Sequence, residues 1–191
     1  MHSIITRYKM KLNLYKLIHK AQRQRLYELA IAIAKMDEND AEEYEKITQS
    51  MKQLLSHIKQ HSQSEERFIH PYFEPFVQQL NRLNQQHQQL DVMELSLIQH
   101  LTAGKDSHQL YLAFNRFIAS YLQHIDEEER LQSEILWQQY RNEDLQSIMV
   151  QFNQSLSAEE IEEGLKFMLP CLKVQETLEL LQKKPRDFPQ R

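Results

Sequence analysis

The chain has 191 residues, of which only 2 are Gly and 5 are Pro, and its formal net charge is −4. Tight turns, hairpins and phosphate-cradling loops depend on Gly, so a β-sandwich, a dinucleotide-binding fold and a P-loop enzyme are disfavoured and one all-α domain is favoured. Acidic residues (27) outnumber basic ones (23) and no basic stripe is present, which argues against nucleic acid as a partner.

Breakers and caps divide the chain in order. A first helix is expected from about Thr6 to Met36, stopped by Asp37-Glu38-Asn39-Asp40. A second runs from about Ala41 to Phe73, ending near Pro71 and Pro75. A third runs from Phe76 to Ala103 and is closed by Gly104, and a fourth runs from about Ser107 to Tyr140. Long helices with short links predict an antiparallel up-down-up-down four-helix bundle. Shorter helices follow: one opened by Asn142-Glu143-Asp144, and one opened by the capping box Ser157-Ala-Glu-Glu160 and ended by Pro170. The tail Lys183 to Arg191 reads as loose. The expected division is a bundle over residues 1–141 and a C-terminal helical extension over 142–191, packed on the bundle.

The longest apolar run, Leu29 to Ala34, is far short of the roughly 20 residues that span a bilayer, so no membrane partner is expected. Met1 to Met10 shows no apolar signal-peptide region, and Cys171 is the only cysteine, so a cytoplasmic location without disulfides is expected.

Positions spaced alternately three and four apart face the interior of a bundle. On the first helix they are Leu12, Tyr15, His19, Gln22, Leu26, Leu29 and Ile33. The second gives Ile47, Met51, Leu54, Ile58, His61, Glu65, Phe68 and Tyr72. On the third helix Leu83, His87, Leu90 and Glu94 fall on the stripe, and on the fourth Tyr121, His124, Glu128 and Leu131. Each stripe is apolar above and below a histidine. In helices two and four a glutamate follows one turn later. Counting residues outward from each link, at 1.5 Å rise per residue, brings the four histidines to within a few Å of one level. Two carboxylates buried in one layer repel each other and cost several kcal/mol each when unpaired. A pair of metal ions removes that cost and takes the imidazoles as ligands. Mixed imidazole and carboxylate donors suit iron, and less selectively zinc or manganese. The string His-x-x-x-Glu-Glu occurs twice, at His61–Glu66 and His124–Glu129, where chance gives roughly 0.1 occurrences. A lone-His helix followed by a His-x-x-x-Glu-Glu helix, twice over, is the pattern that a two-metal site with pseudo-twofold symmetry needs, with Glu65 and Glu128 as candidate bridges.

These residues carry a resemblance. Leu17-Ile-His19, the run HSQSEERFIHP from His61 to Pro71, Gln86-His87-Gln88 and YLQHIDEEE from Tyr121 to Glu129 resemble the hemerythrin-like, or HHE cation-binding, proteins over about Lys11 to Tyr140. The resemblance implies a four-helix bundle with a non-haem di-iron centre. Its ligands would be His19, His61, Glu65, His87, His124 and Glu128, with a position open to O2, NO or peroxide. Oxygen-carrying members have a further His one turn after the helix-three His. Here that position is Asp91, so a fifth imidazole would have to come from elsewhere, for example His57, or be replaced by Asp91 itself.

The remaining candidates have plainer readings. His70 lies off the stripe and reads as a helix-end histidine. Glu66, Glu127 and Glu129 read as a solvated face, His2, His100 and His108 as surface residues, Glu94 as a polar interface residue, and Cys171 as packing. Tyr15 and Tyr121 are core residues, each a turn from an expected ligand, where they could gate the site. The expected function is a di-iron protein that binds or senses a small oxidant. The alternatives are an interaction protein with a structural metal, or a di-iron enzyme acting on peroxide or nitric oxide damage. A ferritin-like site needs Glu-x-x-His, which is absent, and no Gly-flanked serine supports nucleophilic catalysis. Homo-oligomerisation stays open.

Overall fold

A computed structural model describes residues 11–37, 39–103 and 106–181. Among them the secondary structure is helical, with no strand. The long helices are α1 (Lys16–Lys35), α2 (Ala41–Phe68), α3 (Val77–Ala103) and α4 (Ser107–Leu131). After α4 come a π-turn (Gln132–Leu136) and a single turn, α5 (Trp137–Gln139). The shorter helices are α6 (Asn142–Ser155), α7 (Ala158–Met168) and α8 (Val174–Leu181).

Local chemistry sets these boundaries. Among the described residues the first helix starts at Lys16, and residues 11–15 before it are not helical. Asn13 Oδ1 accepts from the backbone N–H of Tyr15 (2.9 Å) and Lys16 (2.8 Å), which caps the chain there. Thr6 to Met10 lie outside the described residues, as do Gly104, the tail from Lys183 to Arg191, and His2. Asp40 caps α2 through Glu42 and Glu43 N–H, and Asp106 caps α4 through Gln109 N–H. The capping box expected at Ser157 and Glu160 is present. The α-geometry of the second helix ends at Phe68, not Phe73. Pro71 has no N–H for an α-helical bond, and the chain tightens into a 3-10 turn, His70–Phe73. The fourth helix likewise does not run unbroken to Tyr140. The π-turn shifts its phase just after Glu128 and Leu131.

Around the bundle α1 packs on α2 and α4, and α3 packs on α2 and α4. The core consists of two apolar clusters. One contains Leu26, Met51, Ile58, Leu90, Phe117, Tyr121 and Ile125. The other contains Leu14, Tyr15, Ile69, Phe73, Leu83 and Leu131. Every long helix passes from one cluster to the other: α1 and α3 run from the second into the first, α2 and α4 from the first into the second. The boundary between the clusters falls close to the histidine on α1, α2 and α3, and between Ile125 and Leu131 on α4.

The later helices lie against the bundle. Phe152 of α6 meets Phe68 of α2 edge-on at 6.0 Å, and the Arg25 guanidinium sits 5.9 Å from the centre of the Phe167 ring of α7. Glu176 of α8 pairs with Lys20 and Lys16 of α1. Cys171 is buried at this junction, its Sγ against Phe167 O, as expected of a packing residue.

Candidate metal centre

The layer between the clusters contains all six expected side chains. His19, Glu65, His87, His124 and Glu128 are buried to 3% exposure or less, and the His61 side chain is 13% exposed. One His comes from each of α1 and α3. A His–Glu pair comes from each of α2 and α4, where the i, i+4 spacing puts both groups on one face.

The side chains gather in two sets, His19–His61–Glu65–Glu128 and Glu65–His87–His124–Glu128, each with donor atoms within 4.8 Å of one another. His19 Nε2 and His61 Nε2 are 3.1 Å apart, and His87 Nε2 and His124 Nε2 are 3.0 Å apart. Both carboxylates belong to both sets. Glu65 Oε1 is 2.9 Å from His61 Nε2, while its Oε2 is 3.7 Å from His87 Nε2. Glu128 Oε2 is 3.4 Å from His19 Nε2, while its Oε1 is 3.2 Å from His124 Nε2. Each carboxylate therefore turns one oxygen to each histidine pair, as a bridging ligand does.

All four carboxylate oxygens are buried without an aligned hydrogen bond. Burial lowers the pKa of His19, but its contacts with Glu129 and Glu65 and the charge of Glu128 outweigh this and raise it to about 9. His87 is likewise pushed down by burial and pulled up to about 9 by Glu128, Glu65 and Glu66. Burial and the charge of Glu128 push Glu65 up, yet His61 and His19 hold it below its ordinary value. Burial also raises Glu128, which His124, His87 and His19 hold well below the ordinary carboxylate range. The layer draws positive charge into itself, as protons when nothing else supplies it. Converging imidazole nitrogens around buried carboxylate oxygens without a hydrogen-bond partner are a donor set suited to a metal cation.

Several contributors were not legible as such. Glu66 and Glu129 do more than face solvent. His87 Nδ1–H donates to Glu66 Oε1 and His19 Nδ1–H donates to Glu129 Oε1, both at 2.9 Å. Each fixes the tautomer that leaves the Nε2 lone pair facing inward. Arg23 holds Glu129 in turn at 2.7 Å. His124 Nδ1–H donates to Gln86 Oε1 at 3.0 Å. The doubled Glu in each His-x-x-x-Glu-Glu string was the available signal. The second Glu lies about 100° around the helix from the first, towards the neighbouring lone-His helix. Glu127 does remain outside, paired with Arg82 and Arg130.

Neither substitute for the missing helix-three His reaches the layer. Asp91 pairs with Lys59 towards solvent, and the His57 ring lies against Phe167 at 4.5 Å, tilted by 31°. His70, expected as a helix-end residue, is instead 5% exposed beside His87. Its inward placement follows the change of helical phase at Ile69. Tyr15 stacks on His19 with ring centres 4.8 Å apart, and Tyr121 lies 6.2 Å from His124. Both hydroxyls are buried without a partner, and burial with the charges of Glu65 and Glu128 raises both well above the ordinary phenol value.

A family model, the hemerythrin HHE cation-binding domain, matches residues 10–134. The chain belongs to this family. The match covers the whole histidine–glutamate layer of the hemerythrin-like bundle and stops within the π-turn after α4. No match was found among the curated proteins or among the solved structures. Among the described residues no helix is long and apolar enough to cross a membrane.

Proposed function

We propose that this hemerythrin-like chain holds a di-iron centre and uses it to bind or sense a small oxidant such as O2, NO or peroxide. The observation that carries this reading is the sharing of both carboxylates: Glu65 and Glu128 each turn one oxygen to each histidine pair. His19 and His61 would hold one metal and His87 and His124 the other. Iron, once bound, supplies redox electrons and an exchangeable coordination position.

The chain's own residues do the rest. Glu129, Glu66 and Gln86 hold the Nδ1 protons of three ligand imidazoles, so those rings present lone pairs inward. The two apolar clusters exclude bulk water from above and below. Tyr15 and Tyr121 each keep a hydroxyl proton that no protein group accepts, so each offers a donor to a small polar ligand. His61 is the most exposed of the six and marks the thinnest wall of the site. We further propose that the bundle functions as a unit over residues 1–141, with the extension from 142 onward bracing α1 and α2.

The test is the iron content and visible absorption of the purified protein, with and without His61→Ala. The wild type should be coloured, with about two irons per chain, and its spectrum should shift with NO or O2. Colourless protein without stoichiometric metal after growth in iron sinks the proposal. A metal that raises the melting temperature while the spectrum ignores both gases would favour a structural role.

A further inference from the structure

His70 belongs to the 3-10 turn that ends the second rod, and nothing in the six-residue layer uses it. Its Nδ1 lies 3.0 Å from Asn84 Oδ1 of α3. An amide oxygen only accepts, so Nδ1 carries the proton and the lone pair sits on Nε2. That Nε2 is buried and has no partner. The ring is stacked on His87, centres 5.2 Å apart and planes 18° from parallel.

This is the arrangement of the expected ligands themselves. His19, His87 and His124 each have Nδ1 held by an acceptor on a neighbouring helix and Nε2 turned inward. His70 repeats it, with Asn84 in the place of Glu129, Glu66 and Gln86. The other half of the layer offers no equivalent. There the ring stacked on His19 is Tyr15, a phenol without a ring nitrogen.

We propose that His70 Nε2 is a third imidazole ligand of the His87–His124 metal. This inference rests on the two-metal reading above and deepens it, because it makes the two metals unequal. One would have three imidazoles, and the other, held by His19 and His61, would have two and keep the exchangeable position. His70 Nε2 is not among the atoms that already lie within 4.8 Å of one another. Coordination would therefore draw His70 Nε2 inward from its position here.

The experiment adds two equivalents of 57Fe(II) to metal-free protein without oxygen and records Mössbauer spectra of the wild type, His70→Ala and Asn84→Ala. Wild type should show two doublets of equal area. In His70→Ala one doublet should change while the other stays, and the affinity for one iron should fall by roughly 10–100-fold. Added imidazole should restore the altered doublet, which a merely structural loss would not allow. Asn84→Ala should perturb the same doublet more weakly, and it provides the readout if His70→Ala does not fold. Spectra of wild type and both variants that superimpose, with two irons bound, overturn the role of His70 and leave the two-metal reading standing. Wild type that binds no iron overturns that reading instead.

Discussion

The two halves of the layer share one plan and differ in their surroundings. Each has a lone histidine braced by a glutamate from a neighbouring helix, and a second histidine one turn before a shared carboxylate. In the α1–α2 half, Glu129 braces His19 and is itself held by Arg23. In the α3–α4 half, Glu66 braces His87 with its own side chain 51% exposed. His124 is braced by Gln86 and almost fully buried, whereas His61 has no such brace among the described residues and is the more exposed. A phenol covers His19, and an imidazole covers His87. A duplicated ligand pattern thus does not imply duplicate metals. On the two-metal reading proposed above, the outer groups would set how tightly each half holds its ion.

The shared carboxylates offer the most drastic way to break the comparison. Glu65→Ala or Glu128→Ala should remove both metals, because each side chain serves both halves. His61→Ala should release mainly one. Metal analysis of dialysed protein separates these outcomes, and retention of one full equivalent in Glu128→Ala would show that the halves are independent.

Acidity should then act on both halves alike. His19 and His87 are raised from 6.5 to about 9 in the metal-free protein, so near neutrality each carries a proton that a metal must displace. Metal binding should release about one proton per half, and affinity should rise about tenfold per pH unit per metal up to about pH 9. A pH-stat titration with Zn(II) reads this directly. For the metal-free fold the sign is opposite on the alkaline side. The raised imidazoles stabilise it fully below pH 6.5, and that contribution is lost as pH rises through about 9. The depressed Glu65 and Glu128 stabilise it above pH 4.5, and that contribution is lost on acidification. Metal-free protein should therefore melt highest between about pH 4.5 and 6.5.

The helices, the inner stripes and the six-residue layer were legible because a 3.6-residue period repeats over long uninterrupted segments. What was not legible lies where that period breaks or where two helices meet. His70 is off the stripe on a continuous helix, and only the tightening before Pro71 turns it inward. Gln132 is buried through the π-turn, where its Oε1 accepts from Leu14 N–H at 2.7 Å. Glu66 and Glu129 lie beside the stripe, and periodicity along one helix cannot show that they reach a histidine on the next. Asn13, which accepts from the N–H groups of Tyr15 and Lys16 just before the first helix, was visible only as a capping residue type.

The braces are the subtler lever on the difference between halves. Glu129→Gln and Glu66→Gln should each lower metal affinity by roughly 10–100-fold. The Glu129 change should have the larger effect, because its carboxylate is the more buried of the two and is fixed by Arg23. Competition with a chelator of known affinity measures both. Equal effects would mean that exposure of the brace is immaterial.

The smallest expected effect lies one step outside the layer and tests whether it stands apart from its surroundings. Glu94 is seven residues after His87 on α3, the position that Leu26 occupies after His19 on α1. Burial and the neighbouring Asp91 raise its pKa to about 7, against the opposing pull of Lys59. A carboxyl whose pKa is raised by folding favours the fold when protonated and opposes it when ionised, so its cost grows as pH rises from 4.5 through about 7. Glu94→Gln should stabilise the protein above pH 7 by about 1 kcal/mol once partial solvent screening is allowed for, or roughly 2–4 °C in Tm. At pH 4.5 it should change little. Calorimetry at the two pH values decides the point, and metal content should stay at the wild-type level. If Glu94→Gln lowered metal content instead, the site would extend a further two turns along α3, and the contrast between Leu26 and Glu94 would become another asymmetry of the centre itself.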